Sequence, residues 1–224
     1  MSYMALFDKD VMDQQFGSTQ LLKLLSDTSS YPINIEERIF NKKEKLSSEN
    51  LIHDYIYFIQ SGVCVAWQNE HVTYFIGPHD IIGMNDIFGN EKSAISAVAL
   101  TDVKTWRFSK QQVMSKLMYS QEGAFYLYHS MKETNAKLLQ KQMWQMEDTK
   151  ERLISTLTYL GRLYGEEDGD QIKIPKYFTK AIISNYLGMS RQHMTTLYRN
   201  LANDGIFTVD PNQYILNKEE IVHV

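Results

Sequence analysis

Between Gln171 and Asn203 the chain carries Lys173, Lys176, Lys180, Arg191 and Arg199 and no Asp or Glu, although its formal net charge is −4. Within that window Arg191, Gln192 and Thr196 fall at spacings that share one side of a helix, with Thr195 beside them. An arginine fork can pair with guanine O6 and N7, a glutamine amide with adenine N6 and N7, and a threonine with a base edge or a thymine methyl. Ser190, His193, Arg199 and Lys180 suit phosphate oxygens, which set register and affinity but not sequence. This is the chemistry of reading double-stranded DNA, not of making or breaking bonds.

Other chemistries find little material. The one cysteine, Cys64, permits no internal disulfide, Cys₄ zinc site or cysteine-held iron–sulfur cluster within the chain. A barrel enzyme of cupin type is the alternative, and His53, His71 and His79 would be its candidate metal ligands. No H-x-H or similar His/Glu grouping joins them. No nucleophile elbow, phosphate-binding glycine loop or paired-carboxylate arrangement is visible either. The expectation is therefore no enzyme, no metal and no cofactor. With 43% hydrophobic and 22% charged residues over 224 positions, the composition is that of a globular protein. The N-terminal stretch has acids and a lysine in place of a signal-peptide apolar core, and no run approaches the ~18–20 apolar residues that cross a bilayer. A cytoplasmic protein with no membrane partner is expected.

The reading residues need a corner to hold them. Counted from Lys180, Ile183, Ser184, Leu187, Gly188, Met189, Met194 and Leu197 occupy positions 4, 5, 8, 9, 10, 15 and 18. These are the places where a helix-turn-helix requires a small residue at the crossing, a glycine in the turn and apolar side chains facing across the corner. Ser190 is placed to cap the second helix, whose apolar stripe is Met194, Leu197, Tyr198 and Leu201. After Gly205, Ile206–Val209, the turn Asp210-Pro211-Asn212 and Gln213–Leu216 read as two strands. The C-terminal module is a winged helix. Before it, Asp148-Thr149 opens a helix through Tyr164, Gly165–Gln171 reads as an acidic turn, and Ile172–Pro175 as a short strand.

Upstream, residues 1–30 read as a helical lead-in. From Tyr31 to Phe108 short β-rich runs alternate with turn residues, which predicts an antiparallel β-roll or barrel. Ser109-Lys-Gln-Gln matches a capping box, followed by helix to about Glu147, broken near Ser120–Gly123. An apolar face through Phe125, Tyr128, Met131, Leu138 and Met143 on a helix ~37 Å long exceeds what a small barrel can cover. It is expected to pair with a second copy. The fold class is α+β, with an N-terminal β-roll at 1–108, a long dimerisation helix at 109–147 and a winged helix-turn-helix at 148–224.

This order, with Leu187-Gly188-Met189-Ser190-Arg191-Gln192 and the later Leu201…Gly205-Ile206, resembles the CRP/FNR family of transcription regulators. Tyr57–Val63 resembles the family's strand-turn-strand, and Gly77-Pro78-His79-Asp80-Ile81-Ile82-Gly83 its entry to the ligand cassette. The resemblance implies a homodimer on palindromic DNA that contacts RNA polymerase, with an effector pocket around Gly83, Met84, Asn85 and Ser93. The family's cyclic-nucleotide binders follow that glycine with Glu and place an Arg before Ser or Thr at the phosphate. Here Met84 follows Gly83, and Ser93-Ala94 occupies the arginine segment. A buried phosphate without its guanidinium loses a charge-assisted pair worth ~1.5–3 kcal/mol, and Lys92 is only a point charge. Control by cyclic AMP is not expected, and the effector is left unassigned. Cys64 alone also excludes the four-cysteine cluster of the oxygen-sensing branch. The loss of the family's glutamate and second arginine, replaced by Gln192 and Thr196, implies a changed half-site.

Overall fold

The computed structural model describes residues 8–208, 210 and 213–218. Two compact units divide the chain, Met1–Leu138 and Leu139–Val224.

Among the described residues of the first unit, eight strands form two open antiparallel sheets. β1 (Glu36–Phe40), β8 (Val103–Ser109), β3 (Tyr55–Ser61) and β6 (Ile81–Ile82) lie in the order β1-β8-β3-β6. β2 (Lys45–Ser47), β7 (Ser96–Ala99), β4 (Cys64–Gln68) and β5 (His71–Ile76) lie in the order β2-β7-β4-β5. The strands make a roll of two sheets and not the closed barrel that the sequence pattern also allows. The two-residue period of β3, with both faces covered, explains its apolar run at residues 55–59. Tyr57 and Ile59 enter a cluster with Cys64, Ala66, Ile76, Ala97 and Val103 from both sheets, whereas Ile56 and Phe58 face the opposite way. Burial pushes the Cys64 thiol up to about 12, so it stays protonated.

The outer face of β3 and β8 is covered by helices. α1 (Lys9–Phe16) is capped by Asp8, and α2 (Ser18–Ser26) follows it. Phe16, Leu21 and Leu25 pack with Ile56, Phe58, Phe108, Val113, Leu117 and Tyr126, and each large side chain so buried contributes ~1.5–3 kcal/mol. α3 (Lys110–Tyr119) begins behind Ser109, which lies at the N-cap but makes no side-chain capping bond. The capping box is thus not formed; β8 runs through Ser109 into the helix. α4 (Gly123–Met146) starts after the expected break. A Cβ on Gly123 would lie 1.9 Å from the Leu117 carbonyl, so only glycine lets α4 start this close to α3.

One expected interface residue belongs elsewhere. Phe125 packs inside its own unit, its ring 5.0 Å from that of Phe16. Tyr128, Met131, Leu138 and Met143 are exposed on α4, as are Leu139 and Met146. The exposed apolar face therefore runs from Tyr128 onward, and Phe125 is half-buried against the core cluster beside Phe16.

In the second unit, α5 (Thr149–Tyr164) is capped by Asp148, which accepts from the Lys150 and Glu151 amides. α5 buries Leu153, Leu157 and Leu160. α6 (Lys180–Leu187) and α7 (Arg191–Asn203) pack together beside a four-stranded sheet in the order β11-β12-β10-β9. Its strands are β9 (Glu166–Asp168), β10 (Gln171–Ile174), β11 (Phe207–Thr208) and β12 (Tyr214–Asn217). The acidic segment expected as a turn forms strand β9, held by ion pairs from Lys173 to Asp168 and from Lys218 to Glu167. Of the expected wing turn, Pro211 and Asn212 lie outside the described residues, as does Val209.

Candidate nucleic-acid interface

The corner between α6 and α7 is built from local rules. Thr179 caps α6 by accepting from the Ile182 amide at 3.3 Å. Gly188 closes α6 at φ 68°, ψ 32°, with the next amide, Met189, donating back to the Ser184 carbonyl at 3.0 Å. That left-handed conformation is open to glycine at little cost. Two residues on, Ser190 Oγ caps α7 by accepting from the His193 amide at 3.1 Å. Ile183, Leu187, Met194 and Leu201 are fully buried where the helices meet, and Leu197 is half-buried.

α7 is fixed to the sheet by Tyr198. Its hydroxyl donates to the Thr208 carbonyl at 2.8 Å and accepts from the Ile215 amide at 3.2 Å. Its ring stacks on Phe207 with centroids 5.1 Å apart and meets Tyr214 edge-on at 4.9 Å. Burial raises this phenol above its ordinary pKa, so it remains a donor at neutral pH. The rotation of α7 about its own axis is thereby set, and with it which side chains face outward.

Those outward residues are the expected ones. Arg191, Gln192, Thr196 and Arg199 are exposed on α7, with His193 and the capping Ser190 at its start and Lys180 at the start of α6. Thr196 Oγ1 donates to the Gln192 carbonyl at 3.1 Å and Thr195 Oγ1 to that of Arg191 at 2.8 Å. Both hydroxyls are thus turned back onto the helix, Thr196 on its exposed side and Thr195 half-buried. Asp204, just past the end of α7, lies 3.7 Å from Lys150. The arrangement presents a cationic, hydrogen-bonding ridge.

A separate cavity of about 330 Å³ lies in the first unit, near the residues expected around an effector. Gly83, Asn85 and Ser93 line it with Asp86, Lys92 and Asn135. Met84 does not; it is buried in the core cluster with Ile56 and Phe58, in the bend that follows β6. Asn85 Nδ2 donates to Thr134 Oγ1 on α4 at 3.0 Å, and Ser93 Oγ donates to the Ile95 carbonyl at 3.0 Å. Among the described residues that line the cavity there is no arginine. Met131 and Leu138 of α4 form part of its wall, a dual placement that the sequence does not reveal. The described residues hold no group of three or more His, Cys, Asp or Glu able to bind a metal ion, and among them no helix is long and apolar enough to cross a membrane.

Residues 37–120 match the cyclic nucleotide-binding domain family. The chain is similar to FixK2 from Bradyrhizobium japonicum at a TM-score of 0.72 and 16% identity, covering 85% of this chain and 97% of that one. The fold is that of the CRP/FNR transcriptional regulators. A CRP/FNR-family regulator from Thermus thermophilus superposes at 0.70 with 16% identity over 84% of this chain and 97% of that one. A cyclic nucleotide-binding domain protein from Listeria monocytogenes gives 0.70 at 17% identity, over 90% and 97% respectively. No curated protein sequence matches. The CRP/FNR fold thus accounts for both the β-roll and the helix-turn-helix.

Proposed function

We propose that this protein is a sequence-specific, DNA-binding transcriptional regulator acting as a homodimer in the cytoplasm. The observation that carries the reading is the ridge on α7: Arg191, Gln192 and Thr196 exposed together on a helix whose opposite face is locked into the winged-helix core. Arg191 and Gln192 occupy the first turn, the part of a recognition helix that enters the major groove deepest. In this reading they and Thr196 read bases, while Lys180, Ser190, His193 and Arg199 hold phosphates. Tyr128, Met131, Leu138 and Met143 pair with their counterparts in a second copy. The two α7 helices then lie about one DNA turn (~34 Å) apart on a palindrome, and RNA polymerase is the further partner.

The cavity of the first unit is the effector site in this reading, through Gly83, Asn85 and Ser93. Its carboxylates Asp86 and Glu91, with Lys92 as its cation and no guanidinium, disfavour a cyclic phosphodiester. Selection of bound sequences from random duplex DNA tests the proposal. A two-fold symmetric consensus is the expected result; recovery of no consensus overturns it.

A further inference from the structure

Arg152, on the first turns of α5, makes an unusual set of bonds. Its Nε donates to the Trp144 carbonyl at 3.2 Å and its Nη2 to the Gln145 and Glu147 carbonyls at 2.9 and 3.0 Å. Its Nη1 donates to the Leu187 carbonyl at 3.2 Å. Four of the five guanidinium N–H groups are therefore spent on backbone oxygens. Trp144, Gln145 and Glu147 mark the C-terminal end of α4, and Leu187 is the last residue of α6, immediately before Gly188. The C-terminal carbonyls of a helix lack intrahelical partners and carry its negative dipole end. One cation thus joins two negative helix ends.

Neighbouring contacts point the same way. Ser155 Oγ donates to Glu147 Oε2 at 3.1 Å, and the Trp144 ring meets Tyr159 with centroids 5.2 Å apart. The Lys141 ammonium lies 5.0 Å from the centre of the Tyr186 ring on α6. All these residues fall within 139–224.

We infer that Arg152 is a positioning residue for DNA recognition, locking the first helix of the helix-turn-helix to the last turn of α4 so that the two move as one body. The inference rests on the proposed DNA-binding function, and it assigns to that function a residue that touches no DNA. If α4 pairs two protomers, the rigidity of this lock fixes the separation of the two α7 helices, and hence the half-site spacing that is accepted. A lysine cannot replace it, because a single ammonium cannot reach carbonyls on two helices with a planar fork.

Two measurements on the full-length protein test this. In the first, wild type and Arg152→Lys are titrated against the selected palindrome, the same site with one base pair inserted at its centre, and a single half-site. Wild type is expected to lose about tenfold or more on the inserted site and Arg152→Lys about threefold or less, with half-site affinity and salt slope unchanged. A loss of stability alone would lower the active fraction on all three DNAs equally. Equal spacing penalties in the two proteins overturn the inference. The second needs no DNA: spin labels at Met146→Cys and Ala181→Cys report the distance from α4 to α6. A narrow distribution that broadens with Arg152→Lys supports the lock. A distribution already broad with Arg152 present, or one unchanged by the substitution, overturns it. Failure to select any DNA sequence would remove the functional reading while leaving this distance result to judge Arg152 separately. Should Arg152→Lys not fold, the width of the distribution with Arg152 in place decides the matter.

Discussion

Replacing Gly188 by alanine isolates the conformational term in the helix-turn-helix corner. Gly188 sits at φ 68°, ψ 32°, and a Cβ built there meets no atom within 4 Å. Steric clash with neighbours therefore contributes nothing. What remains is the cost of the left-handed conformation for an L-residue, ~1–2 kcal/mol. Alanine also restricts the unfolded chain, which offsets ~0.4–1 kcal/mol of that cost. The net destabilisation is about 1 kcal/mol, and Gly188→Asn costs less because asparagine tolerates this region. In urea, with a slope of ~1–3 kcal/mol per molar, the midpoint for the winged-helix unit should fall by about 0.5 M. Affinity for DNA, corrected for the folded fraction, should change less than about twofold, since a 1 kcal/mol loss leaves a stable domain folded. A substitution that stabilised the unit would contradict the left-handed assignment. A loss above about 3 kcal/mol would mean that a contact at this turn has been overlooked.

Lys180→Ala should weaken binding to all DNA sequences alike and make the log–log salt dependence shallower by about one unit, measured by fluorescence anisotropy across a salt series. Met143→Glu replaces an exposed apolar residue of α4, so the fold should survive while sedimentation shifts from dimer to monomer at micromolar concentration. Asp13 accepts from Lys9 and Lys132 at 2.8 Å, and bonding to Lys132 before Lys9 holds its carboxyl at about 2, below the ordinary 3.8. A depressed folded-state pKa means stability present above about pH 4 and lost as the pH falls toward 2. Asp13→Asn should remove that part of the acid dependence from thermal melts of the first unit.

Much of the candidate interface was legible because the corner is dictated locally. Gly188, the Ser190 cap and the apolar positions Ile183, Leu187, Met194 and Leu201 are each required by backbone geometry or helical period. The β-roll was legible for a similar reason: alternation along β3 and turn residues between strands mark it without long-range knowledge. The short strands were not. β2 spans three residues with little pattern, and β9 is acidic in sequence, paired to β10 and flanked by exposed ion pairs to Lys173 and Lys218. The packing of Phe125 and Met84 is not legible in the sequence because their neighbours come from distant segments. Phe16 packs on the first from α1, and the bend after β6 carries the second into the core cluster with Ile56 and Phe58. Ser109 fits a capping box in sequence, yet the preceding strand holds its side chain out of reach. Arg152 carries no sequence signal at all, since its partners are main-chain carbonyls that any residue would supply.

The most direct test of the central claim compares wild type and Arg191→Ala on the selected palindrome and on random duplex of equal length, at one fixed salt concentration. If α7 reads bases through Arg191, the substitution should cost about 1–3 kcal/mol per half-site on the palindrome and little on random DNA, so that the ratio of the two affinities collapses. An equal loss on both would make Arg191 a phosphate contact, and no loss on either would mean that α7 does not enter the groove.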